Sequence, residues 1–231
     1  MNLCVIPARG GSKRIPRKNV RDFCGRPMIA WSIAAAIDSA CFDRVIVSTD
    51  DDEIAAVAHD CGAEVPFRRP AALADDHAST AAVIAHAIDA AGGEAPDAVC
   101  CLYATAPFVR ADDLRAGLRS LQSGDYDYAF TVARYPFPIQ RALRLTAAGT
   151  VAMFHPEHAS TRSQDLEPAY HDAGQFYWGR TPAWRAAAPI FGPRSAPLPL
   201  PRHRVQDIDE PDDWERAQWL FRALLAADSR P

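Results

Sequence analysis

Four short apolar runs, at residues 2–7, 44–48, 97–103 and 128–133, alternate with segments of helical periodicity, and this alternation restricts the fold more than any other feature. Strands joined by helices cannot close as tight hairpins, so they pair in parallel and are covered on both faces, which is why each run is almost continuously apolar. The intervening helices fall at 27–40, 51–60, 79–91 and 112–121, with Pro27 suited to a first helical turn and Gly62 to a helix end. The expectation is an α/β protein with an open, mostly parallel sheet flanked by helices. Such sheets bind ligands beyond the carboxyl ends of their strands, at the loop after Pro7 and the turn from Thr105 to Phe108.

The alternation fades between residues 136 and 170, a Pro-rich stretch with one short strand candidate at 151–154, and this reads as an inserted arm. Regular structure resumes at 175–179 and pauses over the prolines of 189–201. A last helix spans 211–227. With 231 residues and 48% apolar content, one core and a single domain over 1–231 are expected. No apolar run reaches the ~20 residues of a membrane span, and the N-terminus turns basic too soon for a secretory signal, so the expected location is the cytoplasm. Six cysteines without a CxxC pair read as reduced, buried thiols rather than a zinc site.

Net charge is -4, yet Arg9, Lys13, Arg14, Arg17, Lys18, Arg21 and Arg26 crowd a segment whose only acid is Asp22. Within it, Ala8-Arg9-Gly10-Gly11-Ser12-Lys13 follows the first strand. Adjacent glycines let backbone amides face an anion while Arg9, Lys13 and Lys18 neutralise a polyphosphate. The spacing matches neither the ATPase phosphate loop nor the dinucleotide fingerprint. A solvated basic turn is the plainer alternative; nucleic acid is disfavoured because the patch is short and the chain acidic.

Near the other end, Asp207-Ile208-Asp209 on an extended segment puts both carboxylates on one side, a donor set that suits Mg2+ together with phosphate oxygens. Asp209 alternatively serves as the N-cap of the last helix, with Pro211 in its first turn. The run from Arg162 to Trp178 is polar enough for a sugar with hydroxyls, N-acyl groups and a carboxylate: Arg162 can bind the carboxylate, Gln175 and Tyr177 can hydrogen-bond hydroxyls or amides, and His171 is a further contact. Phe176 and Trp178 read as core.

These motifs together resemble the CMP-sugar-acid synthetases, over nearly the whole chain. The resemblance implies a Rossmann-like, GT-A-like nucleotidyltransferase sheet. It implies CTP bound by Ala8, Arg9, Gly10, Gly11, Ser12, Lys13, Lys18 and Asn19, with Arg69 and Thr80 near the cytidine, Mg2+ on Asp207 and Asp209, and Arg9, Lys18 and Asp209 as the catalytic set. The turn at Tyr103 and Thr105, the segment at Gln140 and Arg141, and the 162–178 run resemble the branch acting on pseudaminic acid; sialic acid enzymes carry Gln where this chain has Tyr103. The implied partners are CTP, an acidic nonulosonic sugar and a second subunit docked through the arm, with no nucleic acid or membrane. Transfer to legionaminic or sialic acid, and a noncatalytic nucleotide-binding protein, are the alternatives.

Overall fold

The computed structural model describes residues 1–75 and 78–228. The chain runs β1 (Asn2–Pro7), a minimal hairpin of β2 (Asp22–Phe23) and β3 (Arg26–Pro27), α1 (Met28–Ser39), β4 (Arg44–Ser48), α2 (Asp52–Asp60), α3 (Thr80–Ala90), β5 (Ala98–Leu102), α4 (Ala111–Gln122) and β6 (Tyr128–Arg134). A second hairpin of β7 (Leu143–Leu145) and β8 (Val151–Met153) follows, then β9 (Tyr170–Arg180), α5 (Thr181–Arg185), β10 (Ser195–Leu200) and α6 (Pro211–Asp228). Six strands form one sheet in the order β10-β6-β9-β5-β1-β4. The expected alternation is present, with α1 and α4 against one sheet face and α3 and α5 against the other.

Two elements depart from the sequence reading. β9 lies between β5 and β6 and is antiparallel to both. The cause is where the arm leaves and returns: Arg134 at the end of β6 pairs with Tyr170 at the start of β9, so the returning chain enters at the carboxyl edge and can only run backwards. The Pro-rich stretch, where no element was expected, supplies β10, parallel to β6 at the sheet edge. Pro197 and Pro199 lack a donor, which an edge strand tolerates because only one of its sides is paired.

The sheet separates two apolar clusters. Cys4, Ile6, Cys100, Leu102 and Trp178 face α1 and α4, whereas Leu3, Val5, Val99 and Tyr177 face α3 and α5. Neighbouring residues of one strand thus serve opposite cores. Trp178 Nε1 donates to the Leu114 carbonyl at 3.0 Å, and a Cβ on Gly117 would come within 2.7 Å of the Phe176 and Trp178 rings, so α4 needs glycine there to lie this close. The cysteines are all free; Cys4, Cys100 and Cys101 are buried as expected, whereas Cys24, Cys41 and Cys61 are partly exposed, and burial pushes the Cys4 and Cys100 thiols well up. A third cluster, of Ile15, Phe23, Phe108, Ile208, Trp214 and Phe221, joins the basic loop to α6 and positions the site. Among the described residues no helix is long and apolar enough to cross a membrane.

Candidate active site

The basic loop is built by narrow fits at its root. Ala8 is buried and continues the β1–β4 ladder through its N–H to the Ser48 carbonyl at 2.9 Å. Gly10 N–H donates to Asp50 Oδ1 at 3.0 Å, and a Cβ on Gly10 would approach Asp51 Oδ2 to 2.6 Å. A Cβ on Gly11 would meet nothing within 4 Å, so Gly11, unlike Gly10, is not required by close packing. Neither glycine has positive φ; the left-handed residue is Arg17, at φ 57°. That conformation is costly for a side-chain-bearing residue, and here a two-pronged pair to Asp51, at 2.6 and 3.1 Å, together with Glu53, holds it. Asp51 also caps α2 by accepting the Ile54 N–H at 3.0 Å. The Arg17 hydrogen bond holds the Asp51 carboxyl down at about 2.

Beyond that root the loop meets the distant aspartate segment. Asn19 Nδ2 donates to the Arg9 carbonyl at 3.0 Å. Lys18 Nζ donates to the Ile208 carbonyl at 2.6 Å and lies 3.4 Å from Asp209 Oδ1, while Arg14 Nη2 reaches Asp209 Oδ2 at 2.9 Å. The result is a cavity of about 420 Å³ with Arg9, Ser12, Lys13, Arg14, Lys18 and Asn19 on one wall and Tyr103, Thr105 and Asp209 across from them. Arg14, which the sequence motif passes over as a ligand, belongs to this wall.

A second cavity of about 520 Å³ adjoins it, lined by Tyr103, His171, Asp172, Tyr177, Gln206 and Asp207. Tyr103 lines both cavities. The two aspartates flank the junction, Asp209 on the basic side and Asp207 on the other, with Ile208 between them only 1% exposed. The segment carries no ladder, so the expected strand is absent; the burial of Ile208 fixes the two carboxylates instead. Nor is Asp209 the helix cap. The Asp213 carboxylate accepts the N–H groups of Asp209 and Glu210, at 3.2 and 3.0 Å, which leaves the Asp209 side chain to face the loop.

Burial, and then the charge of Asp209, raises the Asp207 carboxyl. A divalent cation between the two would relieve that repulsion, and two carboxylates completed by phosphate oxygens and water are an ordinary magnesium donor set. Among the described residues no group of three or more His, Cys, Asp or Glu is gathered for a metal, so any cation here depends on its ligand for the remaining oxygens.

The other residues named from the sequence divide. Thr80 Oγ1 lies 3.4 Å from the Tyr103 hydroxyl, at the back of the junction. Arg69 is buried at the end of β4, bonded through Nε to Ser48 Oγ at 3.0 Å and through Nη2 to the Ser48 carbonyl; burial pulls its guanidinium down. His171 lines the second cavity, with Nδ1 2.8 Å from the Asp172 carbonyl. Gln175 is buried and its Nε2 donates to the Arg204 carbonyl at 2.6 Å, a tie between β9 and the 202–204 turn rather than a group on either cavity wall. Gln140, Arg141 and Arg162 sit on the arm and line neither cavity: Gln140 bonds the Glu167 carbonyl, Arg141 the Ser163 hydroxyl, and Arg162 pairs with Asp165 at 2.7 Å. Asp172, a wall residue of the second cavity, went unnoticed in the sequence because a bulge of β9 brings it there.

A cationic loop at the carboxyl edge of an α/β sheet thus faces carboxylates at the mouth of a second polar cavity, an arrangement suited to an anionic ligand on one side and a polar one on the other. A family model described as cytidylyltransferase matches residues 3–195, and the chain belongs to that family. It is 47% identical over 223 residues to the pseudaminic acid cytidylyltransferase of Campylobacter jejuni subsp. jejuni serotype O:2, with 96% of each chain covered. It is 36% identical to a Helicobacter pylori protein named pseudaminic acid cytidylyltransferase and hydrolase of a UDP-linked diacetamido sugar, covering 89% of this chain and 40% of that one. Its fold is similar to that of a CMP:2-keto-3-deoxy-manno-octonic acid synthetase solved with CTP, at TM-score 0.70 and 18% identity over 96% of this chain and 98% of that one.

Proposed function

We propose that the protein transfers CMP from CTP to the anomeric C2 hydroxyl of pseudaminic acid, releasing pyrophosphate, and so activates the sugar for glycan or flagellin modification in the cytoplasm. One observation carries this reading: the basic cavity and the second polar cavity meet at Tyr103, with Asp209 and Asp207 on either side of the junction. The relatives' names supply the identity of nucleotide and sugar.

In this reading the triphosphate lies along Arg9, Ser12, Lys13, Lys18 and the Gly10-Gly11 backbone, with Arg14 beside it and Asn19 fixing the Arg9 carbonyl. Arg69 and Thr80 support the nucleoside side. The sugar occupies the Tyr103, His171 and Tyr177 cavity, with Thr105 at the shared edge, so its C2 hydroxyl meets the α-phosphorus at the junction. The O–P bond forms there as the bond to pyrophosphate breaks, and Arg9, Lys13 and Lys18 take up the charge on the departing group. The proton of the attacking hydroxyl passes to the aspartate pair, directly or through a water. Asp207 and Asp209 would hold Mg2+, which would supply positive charge to offset the negative charge on the phosphate oxygens.

The chain works as one catalytic domain over residues 1–231 with an arm at 136–170. The arm exposes Phe137, Leu143, Leu145, Val151 and Phe154, with Leu145 84% exposed, a surface suited to a second copy of the chain. A homodimer joined through it would present Gln140, Arg141 and Arg162 to the partner's sugar cavity. A pyrophosphate-release assay with CTP, Mg2+ and each of pseudaminic, legionaminic and sialic acid tests the proposal. Pseudaminic acid is expected to give the highest kcat/KM; comparable turnover of sialic acid would move the assignment to that sugar.

A further inference from the structure

β9 breaks its register beside the second cavity. Between the pairs Phe130–Tyr177 and Val132–Asp172 it spends more residues than β6 does, and the surplus bulges out through Gly174, whose φ is 62°. Bulges re-aim side chains, and this one turns Asp172 back onto its own strand. Asp172 Oδ1 accepts the Gly174 N–H at 3.0 Å and Oδ2 accepts the Tyr177 hydroxyl. Tyr177 is itself buried, with its ring 5.5 Å from that of Tyr103, so the carboxylate rests on rigid aromatic support. Burial, with the neighbouring Tyr103 and Asp172, pushes the Tyr177 hydroxyl far up, and it stays a donor.

We infer that Asp172 is a specificity-determining residue for the sugar, accepting a hydrogen bond from the amide N–H of an N-acyl group that sialic acid does not carry. The inference rests on the proposed sugar activation and deepens it. An ionised carboxylate is acceptor-only, and each oxygen keeps a lone pair after its bond to Gly174 or Tyr177. Facing the cavity, it pairs with a donor and repels a carbonyl or carboxylate. An amide N–H only donates, and it complements Asp172 more completely than a hydroxyl, whose own lone pairs then need a second partner. The sugar is thereby oriented with an N-acyl group towards Asp172 and its own carboxylate away from it.

The test compares the unaltered protein with Asp172→Asn and Tyr177→Phe in steady-state kinetics on pseudaminic and sialic acid, with the KM for CTP measured alongside. Asn keeps an acceptor for Gly174 and removes the charge. We expect Asp172→Asn to lower kcat/KM for pseudaminic acid by about 10- to 100-fold, to change sialic acid turnover far less, and to leave the KM for CTP within about twofold. Tyr177→Phe, which loosens the carboxylate without removing it, should produce a smaller loss of the same selectivity. Equal losses on both sugars, or a parallel rise in the KM for CTP, would overturn the inference and give Asp172 a structural role. Failure of the unaltered protein to release pyrophosphate with any of the sugars, while it still binds CTP, overturns the proposed activity itself and this inference with it.

Discussion

The basic loop and the arm are both irregular, both follow a strand of the central sheet and both leave from its carboxyl edge, yet they are held very differently. Between Ala8 and Asn19 nearly every turn is tied to something distant: Gly10 to Asp50, Arg17 to Asp51, Lys18 to Ile208. The arm's side-chain bonds stay within the arm, as in Gln140 to Glu167 and Arg162 to Asp165, and its large apolar side chains face outward. Electrostatic stabilisation of a leaving group depends on groups fixed before the reaction, and the loop has that fixity within one chain. The arm's exposed apolar side chains have no comparable anchorage to the rest of the sheet among the described residues. Long-range ties are thus concentrated at the basic loop.

Asp209→Ala is the strongest way to break that contrast. It removes one carboxylate and leaves Lys18 and Arg14 without their acidic partner, so turnover should fall by more than about 10³-fold while CTP still binds by calorimetry; near-normal magnesium-dependent turnover would remove the aspartate from the mechanism. Ile208→Ala attacks the anchor rather than the charge, and a cavity in the third cluster should cost about 2 to 4 kcal/mol in denaturant unfolding, with turnover reduced in both substrates. Leu145→Asp addresses the arm: sedimentation should report dissociation to monomer and kcat/KM for the sugar should drop about 10-fold, with CTP affinity unchanged. An unaltered oligomeric state would mean that the arm's apolar face is not the contact.

Asp51→Asn probes the root of the loop and should have the smallest effect. Its carboxyl is depressed to about 2 in the folded chain, so the stability contributed by the Arg17 pair is full above its unfolded value of about 3.9 and disappears as pH falls towards 2. The pair is partly exposed, so the loss at neutral pH should stay below about 1 kcal/mol. The stability difference between variant and unaltered protein should shrink as pH falls from about 4 towards 2; a difference that stays constant over that range would mean that Asp51 acts through packing.

What the sequence made legible follows the same division. Apolar runs buried on both faces announce themselves, and so do cations gathered around glycine, because both patterns are local. The direction of β9 depends on where a long excursion re-enters the sheet, which no residue of β9 encodes. Pro197 and Pro199 argue against a strand unless the strand is known to be at an edge. Asp172 sits among residues of strand character, and only the bulge at Gly174 turns it into the cavity. Gln175, by contrast, carries a side chain well suited to a sugar, but it is buried, with its amide nitrogen bonded to the Arg204 carbonyl and its Oε1 left without a partner among the described residues.

Lys18 and Asp209 face each other across 191 positions of sequence. A ribosome therefore releases the cationic half of the nucleotide cavity early and the acidic half only near the end of its work on these residues. Ile208 and Trp214 pack against Ile15 and Phe108, and that contact sets Asp209 opposite the basic loop. Completion of the cavity therefore depends on the packing of residues 208–221 against the basic loop, a contact that lies outside the sheet altogether.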